Sequence, residues 1–147
     1  MLFRSDKSST WSQKYNLVWD SILDLHVFPA EIADQEVAFY TNHLNRFGLP
    51  LDNRATYTKL DWTIWSATLA RNPADFSTLV HPVFDFLNQT TDRVPMTDWY
   101  DTVSARKVGF QARSVVGGVY IKVLADHELW NKWAARAMQT AKDSAPR

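Results

Sequence analysis

The chain has 147 residues, enough for one domain, which at this size buries about 68–70% of the surface its unfolded form exposes. Sixteen basic and sixteen acidic residues cancel, so nothing points to a polyanion partner such as nucleic acid, and the absence of cysteine excludes disulfides, a thiol nucleophile and thiolate metal sites. No apolar run approaches the roughly 20 residues that span a bilayer, and the opening MLFRSDKSST is too polar for a secretory signal.

Residues 1–10 read as a frayed lead-in. Thr10 and Gln13 have capping-box spacing, and a first helix from about Trp11 to Leu25 would bury Tyr15, Val18, Trp19, Ile22 and Leu25. A second helix restarts at Pro29 and runs to about Phe47 on a stripe of Val37, Tyr40, Leu44 and Phe47, with Gly48 ending it. The short link makes these two helices antiparallel neighbours. Thr58, with Asp61 three residues on, caps a third helix carrying Leu60, Ile64, Trp65, Thr68 and Leu69. Asn72 and Pro73 then cap and open a fourth, which buries Phe76, Leu79, Val80, Val83, Phe84 and Leu87, with a kink expected at Pro82.

A fifth helix is expected from about Gln111 to Ala125. Its Gly117-Gly118 pair costs roughly 1 kcal/mol per glycine against alanine, which asks for the close approach of another helix or a bulky aromatic. A sixth, from about His127 to Lys142, carries Leu129, Trp130, Trp133, Ala137 and Met138, and residues 143–147 should fray. No strand-like alternation of useful length occurs. The expectation is an all-α chain of three stacked helical hairpins, a single partial domain over residues 1–147.

Between the fourth and fifth helices lies a connection of about twenty residues, far longer than the usual 4–6. Met96, Trp99, Tyr100, Val108 and Phe110 are costly to leave in water, so the connection reads as ordered and functional rather than unstructured. It brings Arg93, Asp98, Trp99, Tyr100, Gln111 and Arg113. A second polar loop, residues 48–57, and the start of the third helix bring Asp52, Arg54, Tyr57, Lys59 and Asp61. Stacked hairpins place both loops on one rim. Arginine forks grip carboxylates, carboxylates hold an ammonium or move protons, and aromatic walls exclude water, a set suited to a small zwitterionic or sugar-like substrate.

Blander roles compete. Asp61 serves equally as a capping-box partner, Asp52 and Arg54 as a mutual pair, and Trp62 and Trp65 as core. Ser114 and Thr58 lack an adjacent base for nucleophilic chemistry. His26, His43, His81 and His127 have no ligand spacing, so neither a metal nor a cofactor is expected.

The runs WSQKYNLVWDSIL, YTNHLNRFGLPLDNRATYTKLDWTIWSATLA, HPVFDFLNQTTDRVPMTDWYDT and GFQARSVVGGVYIKVL closely resemble the fungal glutaminase A family, over nearly all of Trp11 to Leu124. The resemblance implies a secreted, extracellular amidohydrolase that converts L-glutamine to L-glutamate and ammonia. It also implies part of an (α/α) six-hairpin toroid like that of six-hairpin glycosidases. Family members are much longer, with N-terminal β-rich regions and earlier hairpins, so this chain reads as a C-terminal fragment without a signal peptide. By residue type, Arg54, Arg93 or Arg113 would bind the substrate carboxylate. Asp52, Asp61 or Asp98 would hold its ammonium or activate water. Tyr57, Lys59 or Gln111 would steady an oxyanion, and Trp99 and Tyr100 would wall the site. Two rivals stand beside this reading. One is a glycosidase, with two carboxylates about 5–9.5 Å apart across a cleft. The other is a fragment that is not catalytic alone, whose exposed faces need the missing hairpins or self-association.

Overall fold

The computed structural model describes residues 9–143, and the fraying expected at residues 1–8 and 144–147 lies outside them. The described elements are α1 (Leu17–Ile22), α2 (Ala30–Thr41), β1 (Tyr57–Lys59), α3 (Leu60–Thr68), α4 (Pro73–Gln89), β2 (Trp99–Asp101), a 3-10 turn (Ser114–Tyr120), α5 (Ile121–Ala125) and α6 (His127–Asp143). None of these helices is long and apolar enough to cross a membrane.

The central element is α3. It packs against α1, α4, α5 and the 3-10 turn, while α1 also touches α5, α2 lies on α4, and α6 lies on α5. Sequence explains the centrality. Leu60, Ile64 and Ala67 are buried, and so are the small polar residues Thr63, Ser66 and Thr68, whose hydroxyls bond within or close to the helix. The larger contacts of α1 are with α3 and α5, and that of α2 is with α4, while residues of α1 and α2, expected as neighbours, line one shared cleft.

The first helix is shorter than expected. Residues 11–16 are not helical, and this segment runs beside residues 49–53 through a Ser12–Asp52 bridge and a bond from Gln13 N to Leu51 O of 2.8 Å. The buried Gln13 carboxamide donates to Leu49 O, Pro50 O and Thr58 Oγ1 and accepts from Ser66 Oγ. Those tertiary bonds outweigh the local capping box, and Leu25, expected inside, is exposed. The second helix stops at Thr41. Residues 45–48 form a turn in which Asn45 and Gly48 exchange backbone bonds, so Gly48 serves a φ of +129° there rather than a helix end.

Helix α4 begins as expected, with Asn72 Oδ1 accepting from Asp75 N at 2.8 Å and Pro73 in the first turn, and it continues through Pro82. The long connection departs from expectation. Trp99–Asp101 is a strand, antiparallel to Tyr57–Lys59, with Tyr57 opposite Asp101, Thr58 opposite Tyr100 and Lys59 opposite Trp99. The described residues are therefore mostly α with one two-stranded ladder, whose three-residue strands are too short for alternation to register in the sequence. The fifth helix also starts late. Gln111 bridges to Thr97, a 3-10 turn follows, and α-helix begins only at Ile121. Gly118 meets the expected close approach, since a Cβ there would lie 3.0 Å from Asp61 Cβ and 3.1 Å from Trp65 Nε1; Gly117 faces open space.

Candidate active site

Side chains alternate across a strand, and that parity sorts the two polar segments. Thr58 and Tyr100 point inward and are buried, whereas Tyr57, Lys59, Trp99 and Asp101 share the half-buried outer face. Trp99 and Tyr100 therefore cannot wall the same ligand. Tyr100 is a core residue, stacked on Phe86 at 3.6 Å with its hydroxyl donating to Phe47 O at 2.9 Å, and burial pushes that hydroxyl's pKa well up.

Where the ladder ends, charge collects. The Leu60 N–H donates to Asp98 O at 2.7 Å, which fixes Asp98 beside the start of α3. The Asp98 carboxylate is fully buried. It accepts from Arg113 Nε at 3.0 Å, from Arg113 Nη2, and from Lys59 Nζ at 3.3 Å. Burial alone would raise its pKa, but the Arg113 hydrogen bonds and the Lys59 charge win, and the carboxyl sits below the usual aspartate range.

Lys59 balances the other way. Burial lowers its pKa more than Asp98 raises it, and its Nζ lies 4.1 Å from the Trp99 ring centroid and 5.6 Å from that of Phe110. Arg113, 37% exposed, stacks over Phe110 at 4.7 Å. Trp99 is clamped in turn. Tyr57 meets it edge-on at 5.6 Å, and a Cβ on Gly109 would lie 2.4 Å from Trp99 Cε3. Its buried Nε1 has no hydrogen-bond partner among the described residues.

Asp61, also buried, stands in the first turn of α3. It does not act as the capping-box partner of Thr58, whose hydroxyl bonds with Gln13 and Thr63 instead. Burial raises the Asp61 pKa, and the nearby Asp98 charge adds to this. Bonds from the Asp61 and Trp62 backbone N–H groups and the Lys59 charge offset part of it. On the far side, Trp62 stacks on Tyr15 at 4.2 Å, and both line a cleft of about 490 Å³ that also reaches Asp52 and Asn16. The pKa of the Tyr15 hydroxyl is raised by burial and then by the Asp61 charge.

The two polar segments thus meet, but not as one pool of charge. Lys59, Asp61, Asp98, Trp99 and Arg113 converge. Asp52 is buried at the other end of β1, where Arg54 bonds it through both backbone and guanidinium and, against the effect of burial, holds its carboxyl below the usual range. Arg93 instead donates to Asn88 O at 2.8 Å, at the end of α4, and the Gln111 side chain accepts from Lys107 at 2.9 Å. Phe110 and Tyr15 belong to the surroundings of the site, though sequence reasoning gave them no part in it. Their signal was slight, an aromatic beside a basic residue in the folded chain, which spacing does not reveal.

Glutaminase A of Aspergillus oryzae (strain ATCC 42149 / RIB 40) is 33% identical over 110 residues, covering 72% of this chain and 16% of that protein. A probable glutaminase of Arthroderma benhamiae (strain ATCC MYA-4681 / CBS 112371) is 27% identical over 143 residues, covering 77% of this chain and again 16% of the relative. The chain therefore spans well under a fifth of the length of either. No solved structure matches it. The family profile described as the glutaminase A six helical-hairpin domain matches residues 1–123, and the chain belongs to that family.

Proposed function

We propose that this chain carries part of the active site of a glutaminase-type amidohydrolase, which hydrolyses L-glutamine to L-glutamate and ammonia. The observation that carries the reading is the convergence of the buried carboxylates Asp61 and Asp98, shifted in opposite directions, with Lys59 and Arg113. Asp98, bonded by Arg113 and Lys59, has its pKa lowered, whereas burial raises that of Asp61 beside it. In this reading Asp61 is the catalytic acid–base. As carboxylate it takes a proton from the water that adds to the side-chain amide carbon. As acid it delivers that proton to the departing nitrogen, so the C–N bond breaks and ammonia leaves.

Lys59 carries an ammonium beside Asp61 and stabilises the oxyanion that forms on the amide oxygen. Arg113 binds the substrate α-carboxylate through its exposed guanidinium edge. Asp98 is a positioning residue that holds both cations. The buried, unpartnered Trp99 Nε1 supports a ligand acceptor at this point.

The test is ammonia release from glutamine by a chimera in which residues 1–147 replace the matching segment of the Aspergillus oryzae relative. Asp61→Asn is expected to lower kcat by about 10²–10⁴-fold with little change in KM. An unchanged kcat removes Asp61 from the chemistry.

A further inference from the structure

We infer that Asn88 is an N-glycosylation site, which receives an oligosaccharide when the chain is made into a secretory lumen. Among the chain's asparagines only Asn88 opens the pattern Asn-x-Ser/Thr with x other than proline, through Gln89 and Thr90. Three residues can match by chance, and the structure supplies the independent support. Asn88 lies in the last turn of α4, and Thr90 has left the helix with φ −62° and ψ 138°. The core face of α4 is Leu79, Val83 and Phe86. Asn88 follows Leu79 by nine positions, roughly two and a half helical turns, so it projects from the opposite side. His81 and Phe84 share that outer side at spacings of three and four, and all three residues are exposed.

The co-reactant is a lipid-linked oligosaccharide diphosphate. The bond between the anomeric carbon and the diphosphate oxygen breaks, and the oxygen keeps the electron pair. Asn88 Nδ2 bonds to the anomeric carbon and gives up one proton to a basic group of the transferase. The lipid diphosphate leaves, and nothing is oxidised or reduced. The fold accepts this product. Asn88 Nδ2 donates to Phe84 O at 2.8 Å, and a glycosylated carboxamide keeps one N–H for that bond. Thr90 fixes the order of events. Its hydroxyl is buried and donates to Ala105 O at 2.7 Å, so the threonine is open to the transferase only before this packing forms. Asn88 itself stays outside afterwards. Phe84, one turn earlier on the same side, is 60% exposed. A bulky polar sugar on Asn88 covers this ring, and it requires the outer face of α4 to stay open to solvent in the whole protein.

The test expresses residues 1–147 behind a cleavable leader in a eukaryotic host and treats the secreted chain with peptide N-glycosidase. A shift to higher mass is expected, and the enzyme should remove it and leave an aspartate at this position in the peptide map. Translation with microsomes reads the same shift without requiring the chain to fold or leave the cell. Asn88→Gln, at an exposed position, should abolish the shift and preserve the helical circular dichroism signal. Thr90→Ser keeps both the pattern and the buried hydroxyl and should retain the shift, whereas Thr90→Ala should lose it. Oxidative footprinting should label Phe84 less before the enzyme treatment than after it. The absence of an enzyme-sensitive form in both systems overturns the inference, and so does a shift that persists in Asn88→Gln. Equal labelling of Phe84 with and without the sugar overturns the placement of the glycan over this face.

Discussion

At the scale of single residues, the buried neighbours Asp61 and Asp98 respond to pH in opposite directions. The raised pKa of Asp61 means that the folded chain holds this proton more tightly than the unfolded chain. Its contribution favours the fold below the ordinary aspartate pKa of about 3.9 and is lost as pH rises through the higher folded value. Asp98, with its lowered pKa, favours the fold above that range and loses its contribution as pH falls through its folded value. Asp61→Asn removes the first effect and leaves the second. The variant should therefore melt at a higher temperature than the parent near neutral pH, and the gap should shrink as the solution is acidified toward pH 4. Thermal melts at several pH values measure this, and a gap independent of pH contradicts it. Much of this residue set was legible in the sequence, because Lys59, Asp98, Trp99 and Arg113 are polar or aromatic residues in or beside the two long connections, and Asp61 opens the helix that follows the first of them. Tyr100 was misassigned because adjacent residues in a loop can share a side, whereas in a strand they cannot.

At the scale of elements, the glycine pair before α5 gives a matched experiment. Gly118 lies against α3, where Trp65 Nε1 donates to Gly118 O at 2.9 Å and an added methyl would press on Asp61 and Trp65. Gly117 has nothing within 4 Å of the same added atom. Gly117→Ala should stabilise the chain by up to about 1 kcal/mol through a less flexible unfolded state, and Gly118→Ala should destabilise it by about 1–3 kcal/mol through overpacking. Urea titrations of the two variants read both signs, and equal effects would mean the turn does not sit on α3. The sequence showed that something must offset the glycines, but not that only one of them was needed for contact. The helix patterns placed α3, α4 and α6 well, through long apolar stripes and, at α4, the Asn72 cap, although the α3 capping box does not form and Phe84 and Leu87, expected inside, are exposed. They failed at α1, α2 and α5, where side-chain bonds to distant backbone, a glycine turn and a 3-10 segment override local preference.

At the scale of the whole molecule, Gln13 ties the start of the described chain to its centre. Its carboxamide bonds to Leu49 O and Pro50 O at 3.1 and 3.0 Å, to the Thr58 hydroxyl, and to Ser66 on α3. Gln13→Ala leaves several buried groups without partners, at about 1–3 kcal/mol each. A loss on the order of 3 kcal/mol is expected by chemical denaturation, accompanied by faster amide exchange through residues 49–53. A loss under about 0.5 kcal/mol, the size of an ordinary surface change, would show that the tie is dispensable. This link was illegible in the sequence, where Gln13 read as a capping residue because nothing local reveals a partner nearly forty positions away. The ladder has a consequence for how such chains can vary in length. One residue inserted within Trp99–Asp101 would exchange its two faces, exposing the phenol that rests on Phe86 and driving the indole into the interior. Insertions and deletions among relatives should therefore fall in the solvent-facing bend after Thr102, and spare the three paired positions.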